Sequence, residues 1–121
     1  MRAPVRLFLL RHGRTAAPAG CLVGSTDLPL SGQGLAELTA LLPHLQTAET
    51  WYCSPLQRAS QTLTCLQEQG CQIAQPRYDA RLREIDFGAW EMKTFTEIAA
   101  ADSDKISAWQ EDYEHFVFPE G

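Results

Sequence analysis

The run VRLFLL at residues 5–10 constrains the fold of this chain more than any other stretch. It is short and almost continuously apolar, which is typical of a central parallel strand that is covered on both faces. Such a strand requires helices on both sides of its sheet, so the run predicts an α/β architecture. The chain has 121 residues, which is enough for one domain with a modest core.

The segments after this run alternate between helix and strand. The predicted strands are residues 5–10, 50–53 and 71–75. Ser31 caps a predicted helix in which leucines recur at helical spacing, and Pro43 ends or kinks it. Ser54 caps the next helix, with Pro55 at its first position, and Gly70 closes it. This order is typical of a parallel sheet, in which ligand sites lie at the carboxyl ends of the strands.

The last third of the chain is predicted to be helical. Phe95 and Ile98 indicate a short helix. A further amphipathic helix is marked by the apolar residues Ile106, Trp109, Tyr113 and Val117. The sequence stops at FPEG, a turn, and three strands would leave the sheet and the last helix poorly covered. We therefore expect residues 1–121 to form a single domain that is incomplete at its C-terminus.

Charge and composition exclude several classes of protein. A formal charge of −5 argues against a protein that coats nucleic acid through a broad basic surface. No run approaches the roughly 18 apolar residues that span a bilayer, and the first ten residues are too short for a signal peptide, so a cytoplasmic location is expected. The cysteines lack CxxC spacing and are expected to be reduced thiols rather than a disulfide scaffold or a metal site. They are Cys21, Cys53, Cys65 and Cys71.

Arg11, His12 and Gly13 follow the first predicted strand. A neutral imidazole is a competent nucleophile towards phosphorus, a neighbouring guanidinium can bind phosphoryl oxygens, and glycine lets the backbone approach a ligand. The alternative is an exposed strand end with a solvated arginine and a structural histidine. Arg58 favours the first interpretation, because it lies one turn into a capped helix whose amino end attracts anions. Read alone, Arg58 is equally well a surface residue.

Glu84 is a candidate general acid on the loop after the third predicted strand. A bound dianion would raise its proton affinity, which suits protonation of a leaving alkoxide. Asp86 and Glu91 lie close in sequence, and their spacing does not rank the three carboxyl groups.

Four segments in order carry a resemblance to a known family: LLRHGRT, GSTDLPLSGQG, YCSPLQRASQT and LREIDFGAWE. With these four segments the chain resembles the histidine phosphatase superfamily, also called the phosphoglycerate mutase-like family. The matching motifs are closely spaced over residues 5 to 91. LREIDFGAWE is similar to the segment typical of the alpha-ribazole phosphatases of cobalamin synthesis. The resemblance implies a three-layer α/β/α fold with a mostly parallel sheet. It also implies phosphomonoester hydrolysis without a metal or cofactor.

Carried over residue by residue, the resemblance implies that His12 is the nucleophile that becomes phosphohistidine, held in one tautomer by a bond from its other ring nitrogen to backbone. It implies Arg11 and Arg58 as phosphate ligands and Glu84 as the acid. Gly13 matches the turn of the family motif, and Thr15 and Ser25 fall in loop segments that often line the substrate pocket.

The chain departs from the family pattern at two places. Arg14 stands where many relatives have Glu or Gln, and Pro18 stands where they have an Asn, so one hydrogen bond to phosphate in the family pattern has no counterpart here. The second pocket histidine of the family, flanked by glycines, has no match, and His44 and His115 are expected to be structural or surface residues. Three functions follow: a phosphatase of small-molecule phosphomonoesters, a phosphoglycerate mutase-type phosphotransferase, or a phosphate-binding module with impaired turnover. An exposed sheet edge would favour a homodimer.

Overall fold

The computed structural model describes residues 1–121, which form two compact units. The first unit contains residues 1–16 and 28–82, and the second contains residues 17–27 and 83–121. The elements of the first unit are α1 (Gly32–Glu37), a 3-10 turn (Leu38–Leu41), α2 (Leu42–Leu45), β1 (Tyr52–Cys53), α3 (Gln57–Glu68), β2 (Arg77–Tyr78) and a 3-10 turn (Ala80–Leu82). Those of the second are a 3-10 turn (Gly88–Trp90) and α4 (Phe95–Glu111).

β1 and β2 form a parallel pair in the first unit, in which Tyr52 lies opposite Arg77. The strand predicted at 50–53 is therefore confirmed. The strand predicted at 71–75 is wrong, because the chain there is irregular and the strand begins only at Arg77. Ile73 is buried in the core without being part of a ladder, and Gln75 turns the backbone through a φ of 46° before the strand starts.

The core of the first unit lies between its helices and the parallel pair. It is built from Leu30, Leu38, Leu45, Cys53, Leu63, Cys65, Leu66 and Ile73. Leu63 and Leu66 lie on the inner stripe predicted for α3, and Leu66 is completely buried. A parallel sheet with helices packed against it is the α/β architecture that the sequence predicts.

The helix ends show which of the predicted capping residues act as caps. Ser31 caps α1, since its Oγ accepts the Gly34 N–H at 3.1 Å. Pro43 lies in the first turn of α2, so the predicted long helix is divided as expected. Gly70 ends α3 with a φ of 100°. The predicted cap at Ser54 is wrong: α3 begins two residues later, after extended Leu56, and Ser54 only accepts the Leu56 N–H at 3.3 Å.

Residues 5–10 do not form the buried strand that the sequence predicts. They are not part of the β1–β2 sheet, and the side chains of Val5, Leu7 and Leu9 are 93%, 80% and 88% exposed. An extended segment is buried only when other strands pair with its edges and other elements cover its faces. The two short strands of this chain do not supply that cover.

The second unit is organised around α4 and an aromatic cluster. Thr94 caps α4 in a reciprocal capping box with Glu97, and Asp102 interrupts the helix with non-helical φ and ψ, so two helical segments follow each other as predicted. The core contains Trp90, Ile98, Ile106 and Phe118, with Leu22, Phe87, Trp109 and Phe116 packed against it.

The predicted apolar stripe of the last helix is wrong beyond residue 111. Tyr113 and Val117 are 70% and 76% exposed, and Phe116 and Phe118 pack against Trp90 instead. The helix ends at Glu111, so the spacing of 3.6 residues per turn no longer determines which side chains face the core.

No helix of the chain combines the length and the apolar composition that crossing a membrane requires. All four cysteines are free thiols.

Candidate active site

A cleft of about 880 Å³ opens in the first unit and is lined by Arg11 and His12. Its lining also includes the rest of segment 6–12, residues 50–54 and Leu63 of α3. The apolar side chains of this lining and the polar residues at the carboxyl ends of the two segments resemble the usual composition of a small-molecule site. The Arg-His pair therefore lies at a cavity and not on a flat surface.

The imidazole of His12 is oriented by its own backbone. Nδ1 of the half-buried His12 lies 2.7 Å from the carbonyl oxygen of Gly13. Because a carbonyl oxygen only accepts hydrogen bonds, Nδ1 carries the proton of this contact, and Nε2 of a neutral ring is left with its lone pair. The geometry is the one that the resemblance implies for a nucleophilic histidine.

Arg58 lies at the second position of α3 and is 3% exposed, so it is not a surface residue of the helix. The Gly13 N–H donates to Oγ1 of Thr62 at 3.3 Å, and the Thr62 hydroxyl donates to the Arg58 carbonyl at 2.6 Å. The structure thus links the RHG segment to the first turn of the helix that carries Arg58. The two predicted phosphate-binding segments belong to the same unit.

A glycine pair fixes the path of the chain after His12. A Cβ added at Gly13 would lie 2.7 Å from the carbonyl oxygen of Gly34, and a Cβ added at Gly34 would lie 2.6 Å from the Arg14 nitrogen. Both contacts are with backbone, which cannot rotate away. Gly34 and Thr62 are not among the residues predicted from the sequence, although they lie in the segments GSTDLPLSGQG and YCSPLQRASQT that carry the family resemblance.

Thr15 is held by the chain that leads into α1. It forms an antiparallel bridge with Leu30, and the Ser31 N–H donates to the Arg14 carbonyl at 2.8 Å. Arg14 itself turns outwards and pairs with Glu37 at 3.2 Å across two exposed side chains. Arg14 is therefore engaged with α1 at the edge of the unit.

The rim of the cleft carries an ion pair that the sequence did not indicate. The Arg81 guanidinium donates three hydrogen bonds to Asp79, at 2.6, 3.0 and 3.1 Å, and these bonds, together with one from the Arg81 backbone N–H, lower the pKa of Asp79 to about 2. Trp51, in the lining of the cleft, has a buried Nε1 without a hydrogen-bond partner.

In the second unit, hydrogen bonds separate the three carboxylates that spacing could not rank. Glu91 accepts the backbone N–H groups of Gly24, Ser25 and Thr26 and the Ser25 hydroxyl. Burial of Glu91 opposes ionisation, but these bonds outweigh it and lower its pKa. A carboxylate held in this way is a structural anchor of the 24–26 loop and is poorly suited to release protons near neutral pH.

Glu84 and Asp86 accept fewer hydrogen bonds than Glu91 does. Asp86 accepts the Gly88 N–H at 2.8 Å and stabilises a turn. Glu84 is exposed, and its contact is with the N–H of the adjacent Ile85 at 3.0 Å. Of the three carboxylates, Glu84 is the one that local structure leaves most available for proton transfer.

The remaining predicted residues lie at the surface. Ser25 is exposed and donates its only hydroxyl proton to Glu91 at 3.0 Å, so it could offer a ligand lone pairs but not that proton. His44 is exposed in α2, and exposed His115 lies 2.9 Å from Asp112. No three His, Cys, Asp or Glu side chains are grouped as a metal ion would require.

Comparison with known proteins connects this geometry to relatives of known class. The chain is 33% identical over 116 residues to the adenosylcobalamin/alpha-ribazole phosphatase of Salmonella typhimurium, covering 93% of this chain and 56% of that protein. It is 34% identical over 110 residues to the glucosyl-3-phosphoglycerate phosphatase of Mycobacterium tuberculosis, covering 88% and 48%. The chain thus spans about half the length of the relatives it matches.

Solved structures agree with the sequence relatives. A putative alpha-ribazole-5'-P phosphatase from Escherichia coli superposes with a TM-score of 0.78 at 29% identity, covering 93% of this chain and 56% of that one. The alpha-ribazole phosphatase of Shigella flexneri gives 0.77 at the same identity and coverage. These are phosphoglycerate mutase-like α/β proteins, which confirms the predicted fold class. The sequence pattern described as the histidine phosphatase superfamily (branch 1) matches residues 7–121, and the chain belongs to that family.

Proposed function

We propose that the protein hydrolyses small-molecule phosphomonoesters through a phosphohistidine formed on His12. The observation that carries the proposal is the bond between Nδ1 of His12 and the Gly13 carbonyl at the edge of the cleft. It leaves the Nε2 lone pair as the nucleophile. A histidine that only filled space would not need this fixed tautomer at a cleft.

In the proposed first step, Nε2 of His12 forms a bond to phosphorus as the bond from phosphorus to the ester oxygen breaks. Arg11 and Arg58 stabilise the charge on the phosphoryl oxygens during this transfer. Glu84, in its acid form, gives its proton to the departing oxygen. In the second step, its carboxylate takes a proton from water as the water oxygen forms a bond to phosphorus, and the bond from phosphorus to Nε2 breaks, which releases phosphate and the free histidine.

For the substrate we propose alpha-ribazole-5'-phosphate or a related small-molecule phosphomonoester. The support is the group of relatives named for this substrate, together with the LREIDFGAWE segment. Other relatives are named for glucosyl-3-phosphoglycerate, so specificity is tested by comparing kcat/KM for the two compounds. A preference for the second would assign the protein to the sugar phosphate group of relatives.

A covalent labelling experiment tests the reaction. The chain is exposed to phosphoramidate or p-nitrophenyl phosphate carrying labelled phosphorus, then denatured, and acid-labile label is counted. We expect label in the wild type and in H44A, a control at an exposed histidine, and no label in H12A. Label that persists in H12A would show that another residue is the nucleophile.

The acid role has its own control pair. E84Q removes the proposed donor, and D86N removes a nearby carboxylate that stabilises a turn. Loss of general acid catalysis costs a factor of about 100 to 10,000 for a poor leaving group. We expect E84Q to lose that activity and D86N to keep most of it. The opposite ranking would reassign the acid.

The proposal extends to the cellular location and the oligomeric state of the protein. We place the reaction in the cytoplasm, which the four free thiols support. The exposed row Val5, Leu7 and Leu9 supports association into a homodimer. Sedimentation of the wild type against L7K and L9K variants tests this, with dimer expected only in the wild type.

A further inference from the structure

The hydroxyl of Thr62 lies between the segment of His12 and the helix of Arg58. Thr62 is 4% exposed in the second turn of α3. It accepts the Gly13 N–H at 3.3 Å and donates to the Arg58 carbonyl at 2.6 Å. A hydroxyl has one proton and two lone pairs, so both bonds form at the same time.

Gly13 is thereby fixed through both of its backbone polar groups. Its N–H is bound to Thr62, and its carbonyl accepts Nδ1 of His12 at 2.7 Å. A shift of Gly13 would move the acceptor that sets the plane and tautomer of the imidazole. The orientation of the His12 ring depends in this way on the Thr62 hydroxyl, through Gly13.

We propose that Thr62 is a positioning residue for phosphoryl transfer, which holds the His12 ring and the first turn of α3 in one arrangement. The role in phosphoryl transfer rests on the proposed function, whereas the effect of Thr62 on the orientation of the His12 ring does not depend on it.

The bond from Gly13 is more than ordinary helix structure requires. A threonine inside a helix commonly donates to the carbonyl four residues earlier, and the bond from Thr62 to Arg58 is of that kind. The second bond joins residues 49 positions apart and satisfies an N–H that the helix does not supply. Thr62 therefore connects two parts of the unit through its hydroxyl, and its methyl group is not needed for the connection.

This separation of hydroxyl and methyl defines the variants. T62V keeps the shape and removes the hydroxyl, whereas T62S keeps the hydroxyl and removes the methyl group. T64V makes the same change as T62V at an exposed position of the same helix and controls for helix propensity. Circular dichroism establishes which variants are folded.

The first measurement is the nitrogen NMR spectrum of the imidazole rings in the complete chain. The protein has three histidines, and the H12A spectrum assigns the signals of His12. We expect the neutral ring to be protonated at Nδ1 in the wild type, T62S and T64V. In T62V we expect a mixture of both tautomers.

The second measurement is the initial rate of acid-labile labelling by phosphoramidate. Loss of one hydrogen bond that orients a reacting group corresponds to roughly a tenfold lower rate. We expect this loss in T62V and rates close to the wild type in T62S and T64V. The rescue by serine is a result that simple packing would not give.

The outcomes are distinct for the two hypotheses. Wild-type tautomer and labelling in T62V, or equal defects in T62S and T62V, would overturn the positioning role. If T62V does not fold, hydrogen exchange of the Gly13 amide is measured in the wild type. An amide that is not protected from exchange would show that the bond to Thr62 does not form and would overturn the proposal. If no variant takes up label but the tautomer responds as expected, the proposed function is wrong and Thr62 still positions the ring.

Discussion

Replacing Gly34 by alanine is the perturbation whose outcome the structure fixes most sharply. Ordinary helix propensity predicts that G34A stabilises α1, because alanine is favoured over glycine by about 1 kcal/mol in a helix. The packing predicts the opposite. The new methyl carbon would overlap the carbonyl oxygen of Arg14 and lie 2.6 Å from the Arg14 nitrogen.

The size of the effect follows from the kind of atoms involved. Overpacking a close contact costs typically about 1–3 kcal/mol, and backbone relieves it less easily than a flexible side chain does. A cost of about 2 kcal/mol less a propensity gain of about 1 kcal/mol leaves G34A less stable by about 1 kcal/mol in the free energy of unfolding. For a urea m-value of about 2 kcal/mol per molar, the midpoint falls by roughly 0.5 M.

Gly32 provides the matched control in the same helix. A Cβ there meets nothing within 4 Å. G32A should therefore be neutral or more stable than the wild type by up to about 1 kcal/mol. Urea unfolding followed by far-ultraviolet circular dichroism measures both variants. Equal midpoints for G34A and G32A would refute the claim that the backbone contact at Gly34 is tight.

Three further predictions concern ionisation and capping. Glu91 has a pKa below its ordinary value of 4.5, so its contribution to stability is present above pH 4.5 and is lost as the pH falls through the lower pKa of the folded state. In E91Q this acid-dependent loss of stability should disappear, and the backbone amides of residues 24–26 should exchange hydrogen faster than in the wild type. Asp79, with a pKa of about 2, stabilises the fold above pH 3.8 and ceases to do so towards pH 2. The urea midpoint of the wild type should therefore fall over this pH range by more than the midpoint of D79N does. T94A should lower the free energy of unfolding by about 1 kcal/mol through loss of the α4 cap, whereas T94S should not; equal thermal melting of the two variants would contradict this.

The elements that sequence predicts correctly are those whose signals act over a few residues. Ser31 begins α1 and Gly70 ends α3, because a cap needs only the backbone groups of the adjoining turn. The start of α3 shows the limit of such signals. Ser54 has the residue type of a cap, but Leu56 is the last extended residue, and the helix begins after it.

The elements that sequence predicts wrongly depend on distant partners. The apolar run 5–10 has the composition of a buried strand, yet composition does not supply the neighbouring strands and covering elements that burial needs. The third strand begins at Arg77 instead of residue 71 because its register is set by pairing with Tyr52. Neither fact is encoded within the segment itself.

The candidate site shows the same division. The order of the motifs displays the residue types, which is why Arg11, His12 and Arg58 can be proposed as site residues from the sequence alone. The ranking of the carboxylates was not visible, since the bond that engages Glu91 comes from Gly24, 67 positions away. Only the folded arrangement distinguishes an anchored carboxylate from an available one.

Gly13 explains why the separate motifs act as one pattern. Its carbonyl orients the His12 ring, its N–H is bound by Thr62 of α3, and its α-carbon leaves no room for a side chain against Gly34 of α1. Each contact comes from a different quoted segment, so a change in any one of them displaces the same residue. The orientation of the proposed nucleophile is thus set by two helices at once, and the RHG segment is informative only together with the glycine of α1 and the threonine of α3.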